Sequence, residues 1–238
     1  MKEPIQTIPL ENLALSFLPV VVVVVILYRW SLGAGSSLYA MARMLIQLLL
    51  IGYVLAFIFE TENALVVLSV LTGMLLIASW IALRPFNERS FSKALGAISL
   101  GGVTTLVLIT QAVMDFQPWF NPEKMLPLAG MIFAGSMNAV SLAGERFYAE
   151  MGRGGSYEDS RRTALRASLI PITNSLFAVG LVSLPGMMTG QILSGVDPLV
   201  AARYQIMVMC MLFGSSGISA ACYLVWVRPT EVDPARGE

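Results

Sequence analysis

Seven long stretches of this chain contain no Asp, Glu, Lys or Arg: residues 12–28, 44–59, 63–83, 94–114, 125–144, 167–196 and 204–227. A helix of about 20 mostly apolar residues crosses the roughly 30 Å of hydrocarbon in a bilayer. Uncharged runs of this kind, repeated along one chain, point to an all-α, polytopic membrane protein. In lipid the backbone must satisfy its own N–H and C=O groups, so each run is expected to be a helix. That holds even for the six consecutive valines at 20–25, whose β-branched side chains favour strands in water. Trimmed or extended to helix length, the seven expected spans lie near 12–28, 37–59 (reaching back past Arg43), 63–83, 94–114, 125–144, 170–196 and 201–227. Composition closes off the soluble alternative. Only 13% of residues are charged and 56% are hydrophobic, whereas soluble domains average about 25% charged.

Lys and Arg decide the orientation. With the N-terminus outside, the inner loops and tail hold Arg29, Arg43, Arg84, Arg89, Lys93, Arg146, Arg153, Arg161, Arg162, Arg166, Arg228 and Arg236, and the outer side holds only Lys2, Lys124 and Arg203. Twelve against three predicts an outside N-terminus and a cytoplasmic C-terminus. Residues 1–12 carry one Lys and two Glu ahead of a long apolar run, which reads as a first span and not as a secretory leader. No soluble domain, linker or clear repeat interrupts 1–238, so a single transmembrane domain is expected. Formal net charge is zero, so nothing points to nucleic acid. With no His, histidine catalysis and His-ligated metal are excluded; Cys210 and Cys222 share one apolar stretch, against a disulfide framework or a thiolate zinc site.

The one long inner loop, 145–169, is expected to break at Gly152, Gly154 and Gly155 and then to form a short cytoplasmic helix. Ser156 offers an N-cap with Asp159 three residues on. Glu158 and Asp159 fall in the first turn, followed by Arg161, Arg162 and Arg166, which suits the helix dipole. Glu158 stands four before Arg162 as a candidate ion pair. The helix is expected to start near Tyr157 and end near Pro171. Two uses fit it: an interfacial connector whose arginines touch lipid phosphates, or a coupling helix docking on a cytosolic motor.

In the sixth span, residues 183–188 (Ser-Leu-Pro-Gly-Met-Met) predict a kink or an unwound turn around Pro185 and Gly186. It is either a hinge for alternating access or a static packing kink. Gly180, Gly186 and Gly190 permit close helix contact there. Met187 and Met188 are soft metal ligands or gap-filling core, with packing favoured because iron prefers oxygen or nitrogen donors. The uncharged polar residues within spans are Gln47, Gln111, Asn138, Asn174, Gln191 and Gln205. They should face the bundle interior; Gln47, Asn138, Gln191 and Gln205 line a pathway or bond between helices. Asp197-Pro198 reads as an N-cap with Pro at the first helical position, and Asp115 with Asp197 as a candidate metal-release site on the outer face. Glu145 marks the inner end of the fifth span. No span centre carries a charge, so a proton relay is not supported.

The block Gly180-Leu-Val-Ser-Leu-Pro-Gly-Met-Met-Thr-Gly190-Gln-Ile-Leu-Ser-Gly-Val-Asp-Pro198, followed by Ala202-Arg-Tyr-Gln-Ile-Met-Val208, closely resembles the FetB-like iron-export permeases of ABC transporters. Arg43-Met-Leu-Ile-Gln-Leu-Leu-Leu-Ile-Gly-Tyr-Val-Leu55 and Pro127-Leu-Ala-Gly-Met-Ile132 fit the same family, in the same order. The family includes plant aluminium-tolerance proteins that act with a partner ATPase on a nucleotide sugar, so membership alone leaves the substrate open. The resemblance implies a permease domain with no ATPase of its own, in agreement with the absence of a G-x-x-x-x-G-K-[ST] loop from the chain. It implies ATP-Mg bound by a separate cytosolic ABC ATPase subunit, a permease homodimer, a place in the bacterial inner (plasma) membrane, and iron or a related cation as cargo. No cofactor is expected on this chain, and no metal ligands are assigned. The resemblance also makes the 145–169 loop the coupling element, with Ser156, Tyr157, Glu158, Asp159, Arg161, Arg162 and Arg166 as docking residues. Such permeases place Gly-Ala-Ser/Thr-Pro there, whereas this chain has Gly154-Gly155-Ser156-Tyr157, with Glu150 as the upstream acidic residue. A stand-alone secondary transporter would show inverted repeats or midplane charges, and a membrane-embedded enzyme a nucleophile, base or metal set at one depth; neither signal is present. A structural subunit is set aside only by the resemblance.

Overall fold

The computed structural model describes residues 8–61, 63–85 and 90–227. Lys2, Arg89, Arg228 and Arg236, used above in the charge argument, lie outside the described residues. The chain separates into two compact units, Met1–Glu60 and Thr61–Glu238.

In the first unit, α1 (Leu10–Leu15) passes into α2 (Leu18–Arg29) through a turn in which the Ser16 hydroxyl donates to the Leu13 carbonyl at 2.6 Å. Pro19 stands in the first turn of α2, where no intrahelical N–H is lost. The valine run is helical throughout, because hydrocarbon gives the backbone no other partner. Ser31 and Gly33 take positive φ (55° and 71°) and reverse the chain into α3 (Ala34–Phe59), which packs on α2.

The second unit is built on α7 (Pro122–Gly152) and α10 (Pro198–Trp226). Against them pack α4 (Ala64–Ala82), α5 (Phe91–Ile98), α6 (Thr104–Val107), α8 (Tyr157–Ala178) and α9 (Gly186–Leu193). Two π-helical turns, Ser99–Val103 and Leu108–Val113, join α5 and α6 into one span-length helix, Phe91–Val113. The first of them has a local cause. Gly101 and Gly102 weaken the helix, and the Thr104 and Thr105 hydroxyls bond back to the carbonyls of Leu100 and Gly101. The same glycines allow the closest helix approach. A Cβ on Gly101 would lie 2.8 Å from the Ser215 carbonyl and 2.7 Å from the Ser219 amide of α10; one on Gly102 would lie 3.0 Å from the Phe133 ring of α7. Between these helices lie buried Ile98, Ile132, Phe133, Met211 and Tyr223.

Six of the described helices are long and apolar enough to cross a membrane: Leu10–Arg29, Ala34–Phe59, Ala64–Ala82, Phe91–Val113, Pro122–Gly152 and Pro198–Trp226. They match six of the seven expected spans, and no β-strand is present among the described residues. The stretch expected as a seventh span, 170–196, is not one helix. It is the C-terminal half of α8, a turn at 179–185, and the short helix α9.

The inner stretch also differs from expectation. Residues 145–169 are not a loop: α7 runs on to Gly152, α8 starts at Tyr157, and four residues join them. Gly154, at φ 84°, lets its own N–H bond to the Met151 carbonyl (3.0 Å) and that of Gly155 to the Glu150 carbonyl (3.1 Å). This paired C-terminal closure satisfies two carbonyls at the end of α7. Nor does α8 stop at Pro171. It continues to Ala178, held along its length by packing on α7 and α10.

Gly101→Ala is expected to lower the thermal unfolding midpoint in detergent by several degrees, because overpacking a close helix contact costs about 1–3 kcal/mol. Gly73→Ala, which meets nothing within 4 Å, is expected to leave it unchanged or raise it.

Candidate functional site: an interrupted helix and a docking hairpin

The interruption between α8 and α9 follows from two local signals. Gly180 adopts φ 81° directly after the α8 C-cap Val179 and ends the helix. Pro185 pushes the residue before it toward extended backbone and itself sits at φ −62°, ψ 143° as the N-cap of α9. Between them the Ala178 carbonyl accepts from the N–H groups of Leu181, Val182 and Ser183 (3.2, 2.8 and 3.1 Å), and Gly180 N–H donates to the Ser183 carbonyl at 3.0 Å. The predicted unwinding is therefore present but lies at 179–185 rather than 183–188, and Gly186 is already helical. Gly180, Gly186 and Gly190 make no close helix contact, since a Cβ at each would meet nothing within 4 Å. That role falls to Gly96, Gly101 and Gly102.

Three cavities surround the break. One of about 330 Å³ is walled by Met131, Ser175, Ser183, Met187, Gln205 and Met209, among others. A second, of about 360 Å³, is walled by Met188, Gln205, Met209 and Cys210. A third, of about 720 Å³, takes in Met114, Asp115, Glu123, Lys124, Met187 and Gln191. Gln205 is 6% exposed, and its side-chain oxygen, like that of Gln191, is buried without a hydrogen-bond partner. Of the expected pathway residues, Met187, Met188, Gln191 and Gln205 are thus brought together around the break. Asn138 is exposed on α7 and lines none of these cavities. Gln47 is an exposed residue of α3, where its amide oxygen, turned toward Arg43, accepts from that guanidinium at 3.0 Å. Asn174 is exposed, and Gln111 donates to the Trp119 carbonyl at 3.2 Å.

Asp197 is not among the residues that line the large cavity with Asp115, although its neighbour Val196 is. Asp197 caps α10, accepting from the N–H groups of Leu199 and Val200 at 2.8 and 3.3 Å, as its sequence context predicts. Asp115 shares the large cavity with Glu123 instead, a carboxylate that the sequence reading passed over because it looked like an ordinary first-turn helix residue. Met131 was missed for a similar reason: nothing marks it among 14 methionines until the fold sets it opposite the break.

The hairpin between α7 and α8 carries the expected docking residues. The Ser156 hydroxyl and the Asp159 backbone N–H and carboxylate close the predicted cap, at 3.2 and 2.7 Å. Glu158, Asp159, Arg162 and Arg166 are exposed, and Arg161 half-buried with its guanidinium 5.3 Å from the centre of the Tyr157 ring. Tyr157 is turned inward. Its hydroxyl donates to the Leu224 carbonyl of α10 at 3.1 Å, and its ring meets Phe147 edge-on. The expected Glu158–Arg162 ion pair is not formed; on an exposed helix face such a pair is worth about 0.3–0.5 kcal/mol and water competes for both groups. Ion pairs among the described residues instead join Glu150 to Arg146 (2.6 Å) and Arg153 (3.2 Å), bracing the end of α7.

These features define a polytopic helical membrane protein with an interrupted helix at a cluster of cavities and a helical hairpin projecting from the bundle. A family model described as uncharacterised protein family UPF0014 matches residues 10–156 and 153–230. The chain belongs to that family. It is 40% identical over 205 residues to a UPF0014 membrane protein of Synechocystis, 78% of each chain. It is 35% identical over 237 residues to the probable iron export permease protein FetB of Escherichia coli, covering 91% of this chain and 90% of that one. It is 29% identical over 232 residues to the protein ALUMINUM SENSITIVE 3 of Arabidopsis thaliana, covering 90% and 84%. No solved structure matches.

Tyr157→Phe removes one hydrogen bond between the hairpin and α10, with an expected cost of about 1 kcal/mol. A lowered unfolding midpoint, together with faster proteolysis at the 153–156 turn, would be the readout.

Proposed function

We propose that this chain is the transmembrane permease subunit of an ATP-driven ABC exporter whose cargo is iron or a related metal cation. The observation that carries the reading is the similarity to the Escherichia coli iron export permease over 91% of this chain. In this reading all of 1–238 forms one permease domain in a bacterial inner membrane, with the N-terminus outside and the C-terminus in the cytoplasm, which requires the interrupted α8–α9 segment to make a seventh crossing beside the six continuous spans. Two copies pair, and a separate cytosolic ABC ATPase subunit binds and hydrolyses ATP-Mg.

The geometry supplies a mechanism for coupling. The exposed Glu158, Asp159, Arg162 and Arg166, with Arg161, form a charged tip suited to a groove on the ATPase. The same helix, α8, runs 22 residues from that tip to the break at Val179, about 33 Å at 1.5 Å per residue. A push at the tip is therefore delivered to the interruption without an intervening loop. Pro171, which leaves the Ala167 carbonyl without its usual donor, is the point where that rod bends most easily. ATP binding and hydrolysis would rock α8 against α7 and α10 and so open the cavities alternately to the two sides.

With the permease and its ATPase reconstituted in liposomes, Fe²⁺ is expected to stimulate ATP hydrolysis, and Arg161→Ala/Arg162→Ala to return the rate to that of the ATPase alone. Turnover that needs the permease but ignores iron would keep the coupling and reassign the cargo to an organic solute such as a nucleotide sugar. Absence of any permease-dependent turnover would overturn the reading.

A further inference from the structure

The three cavities of the second unit share walls. Met131 and Met187 line both the break cavity and the large one; Gln205 and Met209 line both the break cavity and its 360 Å³ neighbour. They therefore adjoin one another across those side chains, and the donors change from one cavity to the next. Around the break the polar lining is neutral: the thioethers of Met131, Met187 and Met209, the Gln205 amide, and the hydroxyls of Ser175 and Ser183. Carboxylates enter only in the large cavity, with Asp115 and Glu123. Among the described residues neither carboxylate is in an ion pair, and Lys124, which lines the same cavity, has its ammonium 5.4 Å from the centre of the Phe116 ring.

Gln205 needs an explanation of its own. It is nine-tenths buried at the junction of two cavities with its amide oxygen unpartnered, an arrangement that is unfavourable unless something binds there. Thioethers select soft, low-charge metal ions, whereas carboxylates and water suit hard ones. A hard dication such as Mg²⁺ gives up its water reluctantly and would find no charged oxygen at the break. Neutral donors also bind weakly enough for an ion to leave, which conduction requires.

We infer that the adjoining cavities are successive binding sites for a soft-to-borderline, low-charge transition-metal cation. It is held at the helix break by the Met131, Met187 and Met209 thioethers with the Gln205 oxygen, and passed on to Asp115 and Glu123. The direction of passage rests on the permease reading; the binding chemistry does not.

The test uses the full-length protein in nanodiscs, in a Cys210→Ser/Cys222→Ser background so that thiols do not mask thioethers. Ag⁺ serves as a redox-inert soft probe, with X-ray absorption to identify the atoms around it. The expected result is sulfur neighbours, at least tenfold weaker Ag⁺ binding in Met131→Leu/Met187→Leu/Met209→Leu, unchanged binding in Met44→Leu/Met74→Leu, and displacement by anaerobic Cu⁺ but not by Mg²⁺. Leucine keeps the side-chain volume, so the fold is retained. Equal affinity in the triple variant, silver surrounded only by oxygen, or equal displacement by Mg²⁺ would overturn the assignment. Each of those results leaves permease-dependent ATP hydrolysis untouched, and loss of that hydrolysis would leave sulfur-dependent silver binding standing.

Discussion

Backbone hydrogen bonding in a medium without water governs this structure. Every stretch that meets hydrocarbon is helical, including a run of valines that would form a strand in a soluble protein. Against that rule, the break at 179–185 is the informative exception. Its amides are satisfied by a tight local turn closed on the Ala178 and Ser183 carbonyls, and it sits beside cavities rather than inside a packed interface. Irregular backbone within a membrane protein is sustained where it is sheltered by protein or lines a cavity, and such breaks recur at transport sites.

The second consequence concerns force. Because α8 is continuous from Tyr157 to Ala178, the charged tip and the break are two ends of one element. Tyr157 bonds to the Leu224 carbonyl, so the base of the tip is tied to α10, which also carries Gln205. Movement of the tip thus reaches the cavities by two routes, along α8 and through α10. The Glu150 ion pairs and the glycine closure at 153–155 hold the end of α7 as the fixed side of the hairpin.

Much of this was legible in the residues. Uncharged runs marked six spans, Ser156 and Asp159 marked the start of α8, Asp197-Pro198 marked the start of α10, and Pro185 marked an interruption. What could not be read was set by tertiary context. Pro171 looks like a stop, yet the helix continues through it because α7 and α10 pack along it on both sides of the proline. Gly154 and Gly155 looked like the middle of a loop, yet they close a tight hairpin by positive φ and paired amide bonds. Asp197 shows the capping role its sequence context predicts, through one carboxylate oxygen, while Asp115 lines a cavity with Glu123. The close-packing glycines belong to the π-turned helix and not to the conspicuous 180–190 block, since a glycine shows its packing role only when its neighbour is known.

The central claim is that the cavities beside the break form a solvent-reachable path whose access changes with the nucleotide state of a partner ATPase. Single cysteines at Gln205 and Gln191, and at lipid-exposed Val107 as a reference, in a background lacking Cys210 and Cys222, would be reacted with a membrane-impermeant thiol reagent. The account expects labelling at 205 and 191 but not at 107, with rates that shift when ATP is supplied to the assembled complex. Labelling that fails at 205 and 191 in every nucleotide state would contradict it.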